Sequence, residues 1–215
     1  MKIDFVSDVS CPWCAVGLKS LEAALARVGS EVKAELHFQP FELNPQMAPE
    51  GEEIVEHLRN KYGASLDMAR SQEALKARGD AVGFPFDFQK RGRIYNTFDA
   101  HRLLHWAEGE GKQYALKNAL FDAYFIRGQN PSDHEVLVGL AGSVGLDEKR
   151  AREILASDEF AREVREREHF YTRAGIHSVP AVIINDRHLI QGGQPPEVFE
   201  QALRQLAAES QGADH

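Results

Sequence analysis

The signals for extended structure in this chain lie near its two ends and leave the middle to helices. Residues 2–7 (KIDFVS) place Ile3 and Phe5 on one face of a short strand, which the DVS cluster then stops. "VKAELHFQPF" sets Val32, Ala34, Leu36 and Phe38 against Lys33, Glu35, His37 and Gln39, the period of a half-buried strand. The next strands are "VPAVIIN" and "RHLIQG" near the other end, joined by Asn185-Asp186, a hairpin signal. One sheet built from these pieces must bring both ends of the chain together.

The remaining segments read as helices. From Cys11 onward Leu18, Leu21, Leu25 and Val28 recur at spacings of three and four, with Ser10 as the expected N-cap and Gly29 as the C-cap. Between about residues 50 and 150 the periodicity predicts helices at 51–62, 65–79, 96–109, 112–126 and 132–145, broken at "GFPFDF" and "RGQNPSD", with no strand. A Glu- and Arg-rich helix is predicted over 147–173, and "PPEVFEQALRQLAAE" begins a last one with proline in its first turn. The end, QGADH, reads as a frayed tail. The order is β-α-β, a helical block, then α-β-β-α, which predicts one α/β unit interrupted by an all-helical insertion. The expected boundaries are 1–49 and 151–215 for the two parts of the α/β unit and 50–150 for the insertion.

At 215 residues such a unit buries a core without staples. A net charge of -8 offers no basic footprint for nucleic acid or an anionic membrane. The start, MKIDFVSDVS, lacks the apolar core and cleavage site of a secretory signal, and no apolar run reaches bilayer length. A cytoplasmic protein is expected, in a compartment where a cysteine pair is more often catalytic or metal-binding than structural.

The chain's two cysteines form CPWC at 11–14, after a strand and at a helix start, the context of a thioredoxin-like redox motif. A helix N-terminus carries roughly half a positive charge and free N–H groups that stabilise a thiolate at Cys11. Cys14 lies one turn on, on the same face, placed to attack a mixed disulfide formed at Cys11. Pro12 and Trp13 lack the imidazole that a CPHC motif carries, so the expected thiolate is less extreme. A closed zinc site needs four ligands, and no second cysteine pair exists. His101 and His105 are four apart, but HRLLH has no glutamate after the first histidine, and both are expected to be packing or surface residues. Phe84, Phe86, Phe88, Trp106, Phe121, Tyr124 and Phe125 are expected in the core of the helical block more than in a groove over the cysteines.

With CPWC at 11–14 and Val179-Pro180 before the third strand, the chain resembles the thioredoxin superfamily and, within it, the DsbA-type branch. "SDVSCPWCAVG", "NTFDAHRLLHWA", "LFDAYFIRGQNPSD", "GIHSVPAVIIN" and "IQGGQPPEVFEQAL" resemble the FrnE-like disulfide oxidoreductases over nearly the whole chain. The resemblance implies a thioredoxin-like fold with a helical insertion, Cys11 as nucleophile, Cys14 as resolving cysteine and Pro180 as a cis-proline. Substrate contacts are then expected at Pro12, Trp13, Val179 and Pro180, with the Val179 backbone pairing to an extended substrate segment. His177 and Ser178 stand just before that loop and read as ordinary loop polarity. The implied partners are thiol- or disulfide-containing proteins or peptides, with no resident cofactor or metal and glutathione as a candidate redox partner. The chain is also similar to kappa-class glutathione transferases and 2-hydroxychromene-2-carboxylate isomerases, which place a serine where Cys11 stands. That similarity makes a glutathione-dependent small-molecule enzyme the alternative, and a non-enzymatic module with merely packed cysteines a more distant one.

Overall fold

The computed structural model describes residues 1–63 and 65–212. In chain order its elements are β1 (Lys2–Ser7), α1 (Pro12–Val28), β2 (Glu35–Pro40), β3 (Glu52–Glu53), α2 (Ile54–Tyr62), α3 (Met68–Ala81), β4 (Arg93–Ile94) and α4 (Phe98–Gly109). There follow α5 (Gln113–Phe125), α6 (His134–Ser143), α7 (Glu148–Leu155), α8 (Ala161–Arg173), β5 (Ala181–Ile184), β6 (His188–Gln191) and α9 (Pro196–Gly212). The main sheet runs β2-β1-β5-β6 and draws its strands from both ends of the chain. β1 is parallel to β2 across the α1 crossover, and β5 and β6 return antiparallel. This is a mixed α/β thioredoxin-like fold carrying a helical insertion.

Alternation along the strands divides the sheet into two faces. Ile3, Phe5, Phe38, Val182 and Ile184 meet Leu18 and Leu21 of α1 and Phe199 and Leu203 of α9. Phe5 pairs with Phe38 on one side and Val182 on the other, and its ring meets that of Phe38 edge-on at 5.8 Å. On the other face Val6 and Ala181 pack against Tyr171 of α8 and Ile176. The hairpin turn is where the dipeptide predicts it, with Asn185 (φ 52°) and Asp186 (φ 57°) left-handed.

Several expectations are corrected. The helix predicted over 147–173 is two helices, because buried Arg102 of α4 donates to the carbonyls of Ile154 (2.6 Å) and Ser157 and through Nε to that of Glu159 (2.9 Å). These bonds end α7 from outside, and Phe160 re-enters at φ 63° to start α8. The helix predicted from 51 begins at Ile54, since Glu52 and Glu53 pair with Arg93 and Ile94 as a two-stranded ladder inside the block expected to hold no strand. Cys11, not Ser10, caps α1, because the Ser10 hydroxyl is drawn away to Asp8 Oδ2 at 3.2 Å. Gly29 closes α1 as predicted, its N–H bonded to the Leu25 carbonyl.

Of the aromatic set, Trp106 lies in a core of the helical block and most of the others do not. Phe84, Phe86, Phe121, Tyr124 and Phe125 join the cluster that contains Phe5, Cys14 and Leu18, so the insertion is packed into the sheet's core. Trp106 belongs to a separate helical cluster with Leu103, Leu116 and Leu137, which α7 completes through Ala151, Ile154 and Leu155. Gln211 and Gly212 end α9; the rest of the expected tail, 213–215, lies outside the described residues.

Candidate active site

β1 ends at Ser7, and the turn Asp8–Ser10 delivers Cys11 to the N-cap of α1 in extended conformation (φ -88°, ψ 112°). Pro12 takes the first helical position, where a missing N–H costs nothing. The Cys14 N–H donates to Cys11 Sγ at 3.3 Å, so the helix end solvates that sulfur directly. From the other side the Cys11 thiol donates to the Val179 carbonyl at 3.8 Å, and the Val179–Pro180 peptide bond is cis. Both cysteines are free thiols. Cys11 is 4% exposed and stands in the wall of a cleft, whereas Cys14 is fully enclosed behind it. Burial, then the neighbouring Cys11, pushes the Cys14 thiol well above its ordinary range.

The cleft encloses about 710 Å³. Its floor is Ser10–Trp13 and its far wall comes from α2 and α3, with Leu58, Met68 and Leu75 among the lining residues. Phe88 is the member of the predicted aromatic set that lines it, and His177, Ser178 and Val179 close one edge. Pro180 is buried beneath that edge, where α1 accommodates it at Gly17; a Cβ there would stand 3.0 Å from Pro180 Cγ. Trp13 is half-open to solvent and held between Arg78, whose guanidinium carbon lies 5.6 Å from the ring, and Gly193. The four predicted contact residues and the two cysteines are therefore brought to one place from the two ends of the chain, because the end of β1 lies beside the start of antiparallel β5.

A further set of polar residues adjoins the site, and of these the sequence singled out His101 alone, as a packing or surface residue. Asp8 accepts from the Leu43 N–H (2.8 Å), the Thr97 hydroxyl (2.7 Å) and the Ser10 hydroxyl (3.2 Å), and lies 3.2 Å from His101 Nε2. Burial pushes its carboxyl up, but His101 first, then the Leu43 and Thr97 donors, outweigh burial and hold it below the usual carboxylate range. His101 is thus a packed, bonded histidine, and His105 packs on the Phe160 ring at 5.2 Å. Among the described residues no group of three or more His, Cys, Asp or Glu side chains is arranged to hold a metal ion.

Lys117 is buried, its ammonium 4.9 Å from the Phe121 ring centre and 5.9 Å from that of Phe38. Burial lowers it to about 8, against the pull of Cys14, Asp8 and Cys11. Glu42 lies in the cleft wall, where burial and then the adjacent Glu168 push it up to about 7 although Arg165 bonds both carboxyls. Arg91 lines the cleft, reaches the Ser10 carbonyl at 3.4 Å and stacks its guanidinium carbon 5.0 Å from the rings of both Tyr124 and Phe125. Lys117 left a trace in the sequence, since it falls on the Leu116, Leu120, Phe121 side of α5, and His101 lies in α4; Asp8, Glu42 and Arg91 sit in loops or turns that carry no periodic signal.

The model of the DSBA-like thioredoxin domain matches residues 2–204. This chain belongs to the DsbA-like thioredoxin family. It is 35% identical to the probable DsbA oxidoreductase of Streptomyces coelicolor, covering 95% of this chain and 89% of that one at a TM-score of 0.88. It is also similar to a 2-hydroxychromene-2-carboxylate isomerase, 16% identical over 100% and 98% of the two chains at a TM-score of 0.71. The cytosolic disulfide reductase DsbM of Pseudomonas aeruginosa, solved with GSH, is 16% identical over 96% and 98% at a TM-score of 0.67. The latter two share the fold alone with this chain. Family membership makes the protein a relative of oxidoreductases that act on thiols and disulfides. No helix of the described residues is long and apolar enough to cross a membrane.

Proposed function

We propose that the protein is a FrnE-like thiol–disulfide oxidoreductase of the disulfide oxidase/isomerase kind, acting in the cytoplasm through Cys11 and Cys14. The observation that carries this reading is the asymmetry of the pair: a cleft-lining Cys11 sulfur bonded to the helix N-terminus, and an enclosed Cys14 one turn behind it. In the oxidised enzyme a substrate thiolate attacks Cys11, the Cys11–Cys14 bond breaks, and the electron pair leaves on Cys14, which takes a proton. A second substrate thiolate then displaces Cys11 from the mixed disulfide, so two electrons and two protons pass from substrate dithiol to enzyme dithiol. Run backwards on a wrong disulfide, the same steps reshuffle it. Because Cys14 stays protonated at neutral pH, Cys11 meets incoming disulfides without competition from its partner.

Pro12 and Trp13 supply the floor under the substrate sulfur, and the Val179 backbone supplies main-chain pairing beside Pro180, with thiol or disulfide peptides and glutathione as partners and no resident cofactor. For the domain plan, residues 1–49 and 151–215 are the thioredoxin-like parts and 50–150 the insertion, whose end is better placed after α7 because Leu155 still packs in the helical cluster.

The test is trapping. Cys14→Ser, mixed with a dithiol or disulfide substrate, should accumulate a covalent adduct that maps to Cys11 by mass, and Cys11→Ser should form none. An adduct on Cys14 would reverse the roles. A wild-type protein that never forms the internal disulfide and carries only glutathione on Cys11 would instead favour the glutathione-dependent isomerase or transferase reading, for which the shared fold with the isomerase speaks.

A further inference from the structure

The cleft is charged against the grain of the molecule. The chain has a net charge of -8, yet the cleft wall carries Arg91 and Lys61 against the Glu42 carboxyl, itself pushed up to about 7 by burial and by Glu168, while the His57 ring beside them is bonded to Glu52 at 2.6 Å. Lys61 is turned to the Leu43 carbonyl (3.3 Å) and the Asn44 side chain (3.0 Å), not to an acid.

Arg91 is the anomaly among these cations. It is 9% exposed, and a guanidinium so buried is ordinarily paired with a carboxylate, because an uncompensated charge out of water is costly. Among the described residues no carboxylate pairs with it, and its Nε is buried without a hydrogen-bond partner. Its surroundings hold the group in place without neutralising it: two aromatic faces, Tyr124 and Phe125, and one long bond to the Ser10 carbonyl. Ser10 directly precedes Cys11, so the fixed, unneutralised fork is bonded to the residue next to the reactive cysteine and lines the same cleft. A planar guanidinium held this way matches a carboxylate through two parallel hydrogen bonds. A cleft of about 710 Å³ is the size of a small-molecule or short-peptide site.

We propose that Arg91 anchors a carboxylate of the substrate, so that the cleft selects low-molecular-weight thiols and disulfides bearing carboxylates, of which glutathione disulfide is the chemical type. This rests on the thiol–disulfide reading and specifies its substrate. With reduced enzyme, the Cys11 thiolate bonds to one sulfur of the disulfide, the S–S bond breaks, and its electron pair leaves on the other sulfur, which takes up the proton released by Cys11. Cys14 then attacks Cys11 Sγ and releases the second thiol with the Cys14 proton. Two electrons pass from the enzyme dithiol to the disulfide, leaving two thiols and the Cys11–Cys14 disulfide.

The experiment measures the rate at which fully reduced protein is oxidised by three probes: glutathione disulfide, its ethyl ester, and neutral hydroxyethyl disulfide. Each rate is divided by that of the same probe with dithiothreitol, and products are scored by alkylation and mass. The wild type should prefer glutathione disulfide over the ester by about tenfold or more, equivalent to about 1.4 kcal/mol. Arg91→Gln should erase that preference, slowing glutathione disulfide about tenfold more than hydroxyethyl disulfide, and Arg91→Lys should restore part of it. A wild type that treats acid and ester alike overturns the proposal with no variant needed, which keeps the test open if Arg91→Gln fails to fold. Equal loss on all three probes in Arg91→Gln also overturns it, because it would show a structural role. So does a disulfide-bonded protein that reacts faster than glutathione disulfide and is indifferent to Arg91→Gln. A wild type oxidised by none of the probes is a failure of the thiol–disulfide reading itself, and the carboxylate subsite falls with it.

Discussion

At the scale of single residues, the position of the Cys11 sulfur depends on a carboxylate that never touches it. Asp8 is fully buried, and its two oxygens hold the Ser10 hydroxyl, the Leu43 N–H, the Thr97 hydroxyl and His101, which come from three separate segments. Asp8→Ala would leave those donors enclosed and unpaired, and a loss of about 3 kcal/mol or more is expected. Asp8→Asn keeps the shape and one acceptor oxygen and should lose less. Urea unfolding at neutral pH checks the order; equal loss in both variants would mean that the charge, not the bond network, carries the effect. None of this was legible beforehand. The cysteines announce themselves because their residue type is rare and their spacing is chemical, and Val179-Pro180 is marked through the family resemblance, whereas Asp8 in "SDVSC" reads as a strand stop. Its partners at 43, 97 and 101 are assembled by the fold, and no local pattern in the sequence relates them.

Elements follow the sequence wherever one periodicity decides them and depart from it where a distant side chain does. The apolar stripe of α1 is set by burial of one face, so its period is visible, and β1 shows Ile3 and Phe5 on the face that meets it. The break between α7 and α8 is imposed by Arg102 donating to the carbonyls of Ile154 and Ser157, and counting along 147–173 does not find it. α3 presents a similar dependence in the form of Gly79. Added there, a Cβ would lie 2.5 Å from the Phe84 carbonyl oxygen and 2.6 Å from the Phe86 ring, and that oxygen belongs to backbone that cannot swing aside. Alanine gains about 1 kcal/mol of helix propensity over glycine, while overpacking costs about 1–3 kcal/mol. Gly79→Ala should therefore destabilise by up to about 2 kcal/mol despite the better helix former. Since α3 lends Met68, Ser71, Gln72 and Leu75 to the cleft, the variant should also slow oxidation of the reduced protein. Unchanged or increased stability in denaturant would show that the 79–86 turn relaxes freely.

For the whole molecule, two buried groups on opposite sides of neutrality shape how stability responds to pH. Glu42 titrates at about 7 in the fold against an ordinary 4.5, raised by burial and then by Glu168. Between those values the folded chain keeps a proton that the unfolded chain has released, so stability is greatest below about 4.5 and falls as pH rises to about 7. Lys117 titrates at about 8 against an ordinary 10.5, lowered by burial. Above about 8 the folded chain has released a proton that the unfolded chain retains, so stability rises. Cys14 opposes that rise above its ordinary value of 9.0, because burial keeps its proton on in the fold after the unfolded chain has lost its own. Asp8, held low, adds stability that is lost only below the ordinary value of 3.8. The summed contribution of these groups has its minimum between about pH 7 and 8, with a shallow recovery toward about 9. Urea midpoints at about pH 5, 7.5 and 9, read with the slope held constant, measure this directly. Glu42→Gln should flatten the fall on the acid side and leave the alkaline recovery intact. Lys117→Met, close in volume and without a charge to desolvate, should do the reverse. Subtracting variant from wild type removes the general repulsion that a chain of net charge -8 accumulates as pH rises. If both difference curves are flat, neither group titrates away from its ordinary range, and the polar layer around the cysteines is more open to water than its burial implies.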